Sequence, residues 1–338
     1  MKHWQQLSHE ERREVLAITS AKTHLPQLAV EKDWWVTMVL KALTMTRHFG
    51  LMSFKGGTSL SKGWNLIHRF SEDIDIALCR EGAFSISSTS GNQLAKVRRV
   101  ARHYIVRELP SEIAEALKGM GVTDFTVEPE TTRTNPDGSI IELRATTHPS
   151  TIFVHYKSVL PDVSEYLEPK VKIEISCLSM DEPVENKTLR SLMADVLMDE
   201  EDVAALFPTV VPTRTFLEKM FLLHEEFQKE APRSKRMSRH LYDIERLMDT
   251  EFGNAIENRG LYESVVEHRS IFNKVDGVDY SLHKPSSISF IPPQALLADW
   301  KKDYEAMQRH FIYDDQSLPF QQLIQRMQEL TARLRMLS

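Results

Sequence analysis

Between Phe54 and Ile76 the chain reads Phe-Lys-Gly-Gly-Thr-Ser-Leu-Ser-Lys-Gly-Trp-Asn-Leu-Ile-His-Arg-Phe-Ser-Glu-Asp-Ile-Asp-Ile. The pattern predicts a strand, a glycine turn at Gly56 and Gly57, a short helix through Thr58 and Ser59, and a second strand. Asp73 and Asp75 stand two apart on that second strand. Both carboxylates therefore point to one face while Ile74 and Ile76 point to the other. One face can hold a metal while the other packs a core. The first N–H groups of the helix have no helical partners and can take a phosphate. A phosphate cradle followed by paired carboxylates is equipment for moving a nucleotidyl or phosphoryl group.

The 338 residues allow two domains, or one large domain with additions. A net charge of −6 excludes a chain that is basic throughout, so any nucleic-acid contact must come from a local patch. The only two cysteines, Cys79 and Cys177, argue for a reducing compartment. The N-terminus lacks the apolar core of a signal peptide. No apolar run approaches the roughly 18 residues of a membrane span. These features predict a cytoplasmic protein with no membrane partner.

Ser8-His-Glu-Glu11 is a capping-box pattern, and a helix is expected from there towards Lys22. A second helix is expected over Leu28–Met45, with Trp34 and Trp35 as core aromatics and Glu31, Lys32 and Asp33 among its polar positions. Phe84–Asn92 reads as a Ser/Gly-rich loop, and Gln93–Lys118 as one long amphipathic helix. Strand-like runs follow at Thr123–Glu128, Ser139–Thr146 and Ile152–Val159. Pro169-Lys-Val-Lys-Ile-Glu-Ile-Ser-Cys177 then alternates cleanly, with Glu174 on its polar face. Taken alone, that strand reads as a solvated edge. Strand parity puts Cys79 on the face of Asp75 and Cys177 opposite Glu174, so no bridge between the thiols is expected. Residues 179–213 read as connectors plus a short helix, and nearly everything after Thr213 reads as helical. The change from a mixed α/β half to a helical half falls between 180 and 212.

A two-metal site needs several carboxylates around Mg²⁺, a hard cation that prefers oxygen ligands. Asp73 and Asp75 supply two, and Glu174 is the best-placed third. A triphosphate also needs cations. Lys55 precedes the glycine turn and Lys219 lies on the helix that opens the second half. Arg233, Lys235, Arg236, Arg239, His240 and Arg246 form a local basic cluster, readable either as a solvated face or as phosphate or RNA contacts. Asp243 within it either orients an Arg or Lys by a charge-assisted hydrogen bond or is an exposed helix acid.

Together these residues resemble the AbiEii/AbiGii toxin family, within the DNA polymerase β-like nucleotidyltransferase superfamily. The resemblance rests on Phe54-Lys-Gly-Gly-Thr-Ser-Leu-Ser-Lys62, Arg69-Phe-Ser-Glu-Asp-Ile-Asp-Ile76, Lys170-Val-Lys-Ile-Glu-Ile175, Glu218-Lys219 and Arg239-His-Leu-Tyr-Asp-Ile244. It spans residues 50–250, and more weakly Glu31–Trp35. The gap from Gly57 to Asp73 is longer than in minimal superfamily members, and residues 260–338 carry no motif that can be placed.

The resemblance implies an α+β fold, with a nucleotidyltransferase-like mixed sheet flanked by helices over 1–180 and a helical domain over 181–338. It implies an NTP-dependent nucleotidyltransferase toxin of a toxin–antitoxin or abortive-infection system. The expected acceptor is RNA, above all the tRNA 3′ end, with a cognate antitoxin as partner. By the same resemblance Asp73 and Asp75 bind both Mg²⁺ ions and Glu174 assists the one that activates the acceptor. Lys55, Gly56, Gly57, Thr58 and Ser59 hold phosphates, Lys219 neutralises the triphosphate, Asp243 supports the nucleotide pocket and Arg69 braces the carboxylates. Two alternatives stay open: a protein or small-molecule acceptor, and a nucleotide-binding partner module without catalysis.

Overall fold

A computed structural model describes residues 3–79, 91–135, 137–161, 167–179, 183–197, 204–313 and 316–337. Most of the Ser/Gly-rich stretch 84–92 lies outside the described residues. The chain divides into two compact units. The first comprises Met1–Trp64 and Phe70–Val210, and the second Asn65–Arg69 and Val211–Ser338.

The first unit is built on strands β1 (Met52–Lys55), β2 (Ile74–Leu78), β3 (Phe125–Pro129), β4 (Thr132–Thr134), β5 (Ile140–Glu142), β6 (Ser150–Tyr156), β7 (Lys170–Ser176), β8 (Val184–Arg190) and β9 (Ala204–Val210). Seven form one mixed sheet in the order β3-β6-β7-β2-β1-β9-β8, and β4 and β5 make a separate hairpin. The β2–β7 and β1–β9 pairs are parallel and the other pairs antiparallel. Ile74, Ile76, Ile152, Val154, Val171, Ile173 and Ile175 share one face of the three central strands and are at most 1% exposed. Burying a side chain of this size contributes about 1.5–3 kcal/mol, so this face sets the register.

Helices of this unit are α1 (His9–Thr23), α2 (Gln27–Leu43), α3 (Gly56–Lys62), α4 (Gly91–Arg107), α5 (Leu109–Gly119) and α6 (Ala194–Leu197). The Ser8–Glu11 capping box starts α1. Helix α2 covers the apolar sheet face, with Trp35 stacked on Tyr156 of β6 at 4.6 Å. Trp34 and Trp35 are core residues, 2% and 5% exposed.

The sheet extends past residue 180 because β8 and β9 pair with each other over seven residues and β9 joins β1. Their sequences hide this. Strand β8 is an exposed edge, Val-Glu-Asn-Lys-Thr-Leu-Arg, without an apolar alternation. Strand β9 carries Pro208, which normally argues against a strand. The expected single helix over Gln93–Lys118 is two, α4 and α5, with Pro110 in the first turn of the second. Glu174 sits on an interior strand between β2 and β6, not at an edge.

The second unit is helical: α7 (Pro212–Phe227), α8 (Ser238–Leu247), α9 (Arg259–Phe272), α10 (Leu297–His310) and α11 (Phe320–Met336). The short segment Asn65–Arg69 belongs to it. The His68 carbonyl accepts the Tyr313 N–H at 3.0 Å, and the His68 N–H donates to the Tyr242 hydroxyl at 3.2 Å. No helix among the described residues is long and apolar enough to cross a membrane.

Candidate active site

The polar face of the central strands gathers the acidic residues. Parallel pairing sets Asp75 of β2 beside Glu174 of β7, and antiparallel pairing sets Lys55 of β1 beside Asp75. Thr151 of β6 lies on the far side of Glu174. Lys55, Asp75, Glu174 and Thr151 thus form one row across four strands. Asp73 stands immediately before β2, one row along, level with Lys172. Asp73, Asp75, Lys172 and Glu174 are all half-buried.

Gly56 makes room for this row. Its φ of +80° is left-handed, and a β-carbon there would fall 2.0 Å from the Asp75 Oδ2. Glycine is therefore required twice, for the backbone angle and for the carboxylate lying against it. Gly56 and Gly57 are half-buried, whereas Thr58 and Ser59 are buried. The Thr58 hydroxyl donates to the Asp73 carbonyl at 2.5 Å, and the Ser59 hydroxyl to the Gly56 carbonyl at 2.9 Å. Thr58 thereby fastens the turn to the residue that leads into the carboxylate strand, and Ser59 braces the turn internally.

Lys172 is the residue that sequence reasoning passed over. Its ammonium lies 2.9 Å from Glu174. Partial burial works against its charge, but Glu174, Asp73 and Asp75 together raise its pKa. Its position two residues before Glu174 on an alternating strand was the available signal. Among the described residues, no group of three or more His, Cys, Asp or Glu side chains is drawn together tightly enough to hold a metal ion as it stands. The donor set still suits a hard divalent cation, because Asp73, Asp75 and Glu174 offer only carboxylate oxygens and already attract a cationic group.

A polar chain borders the row. Lys55 donates to the Ser179 hydroxyl at 3.1 Å, Ser179 to Ser176 at 3.3 Å, and Ser176 meets His148 Nε2 at 3.1 Å. Burial, with Arg98 and Lys55 nearby, pushes the His148 pKa down to about 4. Cys79 and Cys177 are not joined by a disulfide.

The polar residues of α2 also turn inward. Lys32 pairs with Glu72 at 2.6 Å, one residue before Asp73, and Asp33 pairs with Lys62 at 2.6 Å, at the end of α3. Glu31 accepts from the Ser158 hydroxyl at 2.6 Å and the Val159 N–H at 2.8 Å. Two buried ion pairs thus tie α2 to both ends of the glycine–aspartate motif. A run of three charges on an otherwise apolar helix was the sequence signal for this.

In the second unit Asp243 is fully buried. Arg69 forks onto it with two bonds of 2.7 Å, and Lys219 approaches its Oδ2 at 2.7 Å. Burial opposes the charge of Asp243, yet Arg69 and Lys219 hold its carboxyl well below the usual carboxylate range. Burial pulls Lys219 below the usual lysine range, with Asp243 acting in the opposite direction. The cluster carries a net charge of +1, two cations fixed by one carboxylate. In the basic segment 233–246, Arg233 pairs with Glu226 at 2.8 Å and His240 is buried, whereas Lys235 and Arg236 are exposed.

Among solved structures, the chain is similar to the nucleotidyltransferase toxin MenT4 from Mycobacterium tuberculosis, with 18% identity, 95% of this chain and 99% of that chain covered, and a TM-score of 0.47. It is also similar to JHP933 from Helicobacter pylori, with 16% identity, coverage of 92% and 94%, and a TM-score of 0.43. No curated protein sequence matches significantly. The model of the family described as "Nucleotidyl transferase AbiEii toxin, Type IV TA system" matches residues 39–326, which include both the acidic row and the buried Asp243 cluster. The chain belongs to the AbiEii family of nucleotidyltransferase toxins.

Proposed function

We propose that this nucleotidyltransferase toxin transfers a nucleotidyl group from an NTP to a hydroxyl of RNA, with the tRNA 3′ end as the favoured acceptor, and blocks translation in the cytoplasm. The observation that supports the acidic row as the reaction centre is the pairing of Asp75 with Glu174 on neighbouring parallel strands, with Gly56 shaped around the Asp75 carboxylate. The acceptor hydroxyl releases its proton to solvent, its oxygen forms a bond to the α-phosphorus, the bond from the α-phosphorus to the oxygen bridging to the β-phosphate breaks, and pyrophosphate leaves with that oxygen.

Asp73, Asp75 and Glu174 would hold Mg²⁺, in the two-metal arrangement that the chemistry calls for. When bound, such ions lower the pKa of the attacking hydroxyl and neutralise the leaving pyrophosphate. The backbone N–H groups of residues 56–59 and the Lys55 ammonium are assigned to phosphate oxygens, with Thr58 and Ser59 acting through their hold on the turn. In the second unit, Lys219 is assigned the triphosphate countercharge, with Asp243 and Arg69 fixing it. A type IV antitoxin is the cognate partner, relieving the toxin's effect.

Incubation of the chain with each α-³²P-labelled NTP, Mg²⁺ and total bacterial extract tests this. Label in the tRNA fraction that vanishes with Asp75→Asn supports the reading. Label confined to protein or small solutes overturns the RNA acceptor. An Asp75→Asn variant that retains both transfer and growth inhibition overturns the assigned centre.

A further inference from the structure

Helix α4 reads Gly-Asn-Gln-Leu-Ala-Lys-Val-Arg-Arg-Val-Ala-Arg-His-Tyr-Ile-Val-Arg, with five Lys or Arg, one His and no acidic residue. This occurs in a chain of net charge −6. Leu94, Val97, Ala101, Tyr104 and Ile105 form its buried side. Lys96, Arg99, Val100, His103 and Arg107 are exposed. Their spacing of three and four puts them in one stripe, about 16 Å long at the helical rise.

Among the described residues, no ion pair or side-chain hydrogen bond engages Lys96, Arg99, His103 or Arg107. A solvated helix face ordinarily mixes signs, because like charges three or four residues apart repel and destabilise the helix. Only Arg107, in the last turn, is favoured by the helix dipole. The stripe is therefore unfavourable for the isolated fold and suited to an anionic partner.

Clefts of about 430 and 590 Å³ flank the stripe, and Arg99 and His103 wall both. The first adds Arg102 and Thr131, with Glu142 as its acidic member; the second adds His48 and the Arg47–Glu108 ion pair above the buried Tyr104. Guanidinium planes and His rings beside a row of cations are the equipment that stacks unpaired bases while the charges follow phosphates. An acidic polypeptide offers charge but no bases to fill such clefts.

We infer that the Lys96–Arg107 stripe of α4, with its two flanking clefts, is a docking surface for an RNA single strand or loop. The inference rests on RNA being the acceptor, and gives that RNA a place on the first unit apart from the acidic row.

The test uses the full chain, fluorescein-labelled unfractionated tRNA and anisotropy titrations over a salt series. A variant with Lys96→Ala, Arg99→Ala, His103→Ala and Arg107→Ala loses at least tenfold in tRNA affinity. Its log–log salt dependence is shallower by about two to three, from three fully charged groups removed. Its melting temperature is unchanged or raised, which separates lost binding from lost folding. Wild-type affinity and salt slope in this variant overturn the docking surface even if wild-type protein labels RNA. If wild-type protein labels no RNA, the acceptor reading itself fails and the docking surface with it. Polyglutamate binding as tightly as tRNA overturns the inference in favour of an acidic protein partner.

Discussion

The Asp75 carboxylate lies against the α-carbon of Gly56, so closely that a β-carbon on Gly56 would sit 2.0 Å from Oδ2. The glycine and the carboxylate are therefore one unit of structure. Gly56→Ala meets a φ of +80° that costs about 1 kcal/mol for alanine, and it pushes a side chain rather than backbone. The expected outcome is a folded variant, destabilised by about 1–2 kcal/mol in urea titration, with nucleotidyl transfer abolished because Asp75 is displaced. Full activity in this variant would show that the position of Asp75 is not critical.

Lys172 places an ammonium among the three carboxylates. Lys172→Met removes a charge that competes with a bound cation. Mg²⁺ should bind several-fold more tightly by isothermal titration. The melting temperature in chelator should fall slightly, because the Glu174 pair is only partly buried and worth up to about 1 kcal/mol. Weaker Mg²⁺ binding would instead make Lys172 a supporting member of the site.

Asp243 is the sole anion of its buried cluster among the contacts described, holding Arg69 and Lys219. Asp243→Ala leaves two buried cations without it and should cost about 3–5 kcal/mol in chemical denaturation. Adding Lys219→Met to that variant should recover part of the loss by removing one of the stranded charges. A double variant less stable than the single one would contradict this account.

His148 is held at about 4 against an ordinary value of 6.5. The unfolded chain therefore takes up this proton first as pH falls. The stability associated with neutral His148 is complete above about pH 6.5 and is lost as pH drops towards about 4. It amounts to no more than about 3 kcal/mol. Urea midpoints at pH 7 and pH 5 should differ less for His148→Gln than for the native chain. Equal differences in the two proteins would remove His148 as a cause.

Much of this site was legible in the sequence because it rests on local rules. A two-residue spacing on a strand puts Asp73 and Asp75 on one side whatever the rest of the fold does, and the isoleucines between and after them must find a core. The alternation of β7 fixed the side of Glu174 in the same way, and Gly56-Gly57 fixed the turn. Local rules failed where neighbours decide the outcome. The polar strand β8 exists because β9 pairs with it along its length. Residues 93–118 keep helical periodicity across the break before Pro110, so the pattern alone could not divide α4 from α5.

What the sequence by itself determined, then, is the chemistry on each element: paired carboxylates, a glycine turn, an acid on an alternating strand and a lysine and aspartate on later helices. Only the tertiary structure decided which of these charges face one another. Parallel pairing of two distant strands made Asp75 the neighbour of Glu174. The same pairing set Lys172 among the acids, and burial gave Asp243 both Arg69 and Lys219 as partners. The physical reason is range. Side-chain direction follows from a residue's own backbone, whereas the strength of a charge pair depends on distance and on exclusion of water, which distant parts of the chain supply.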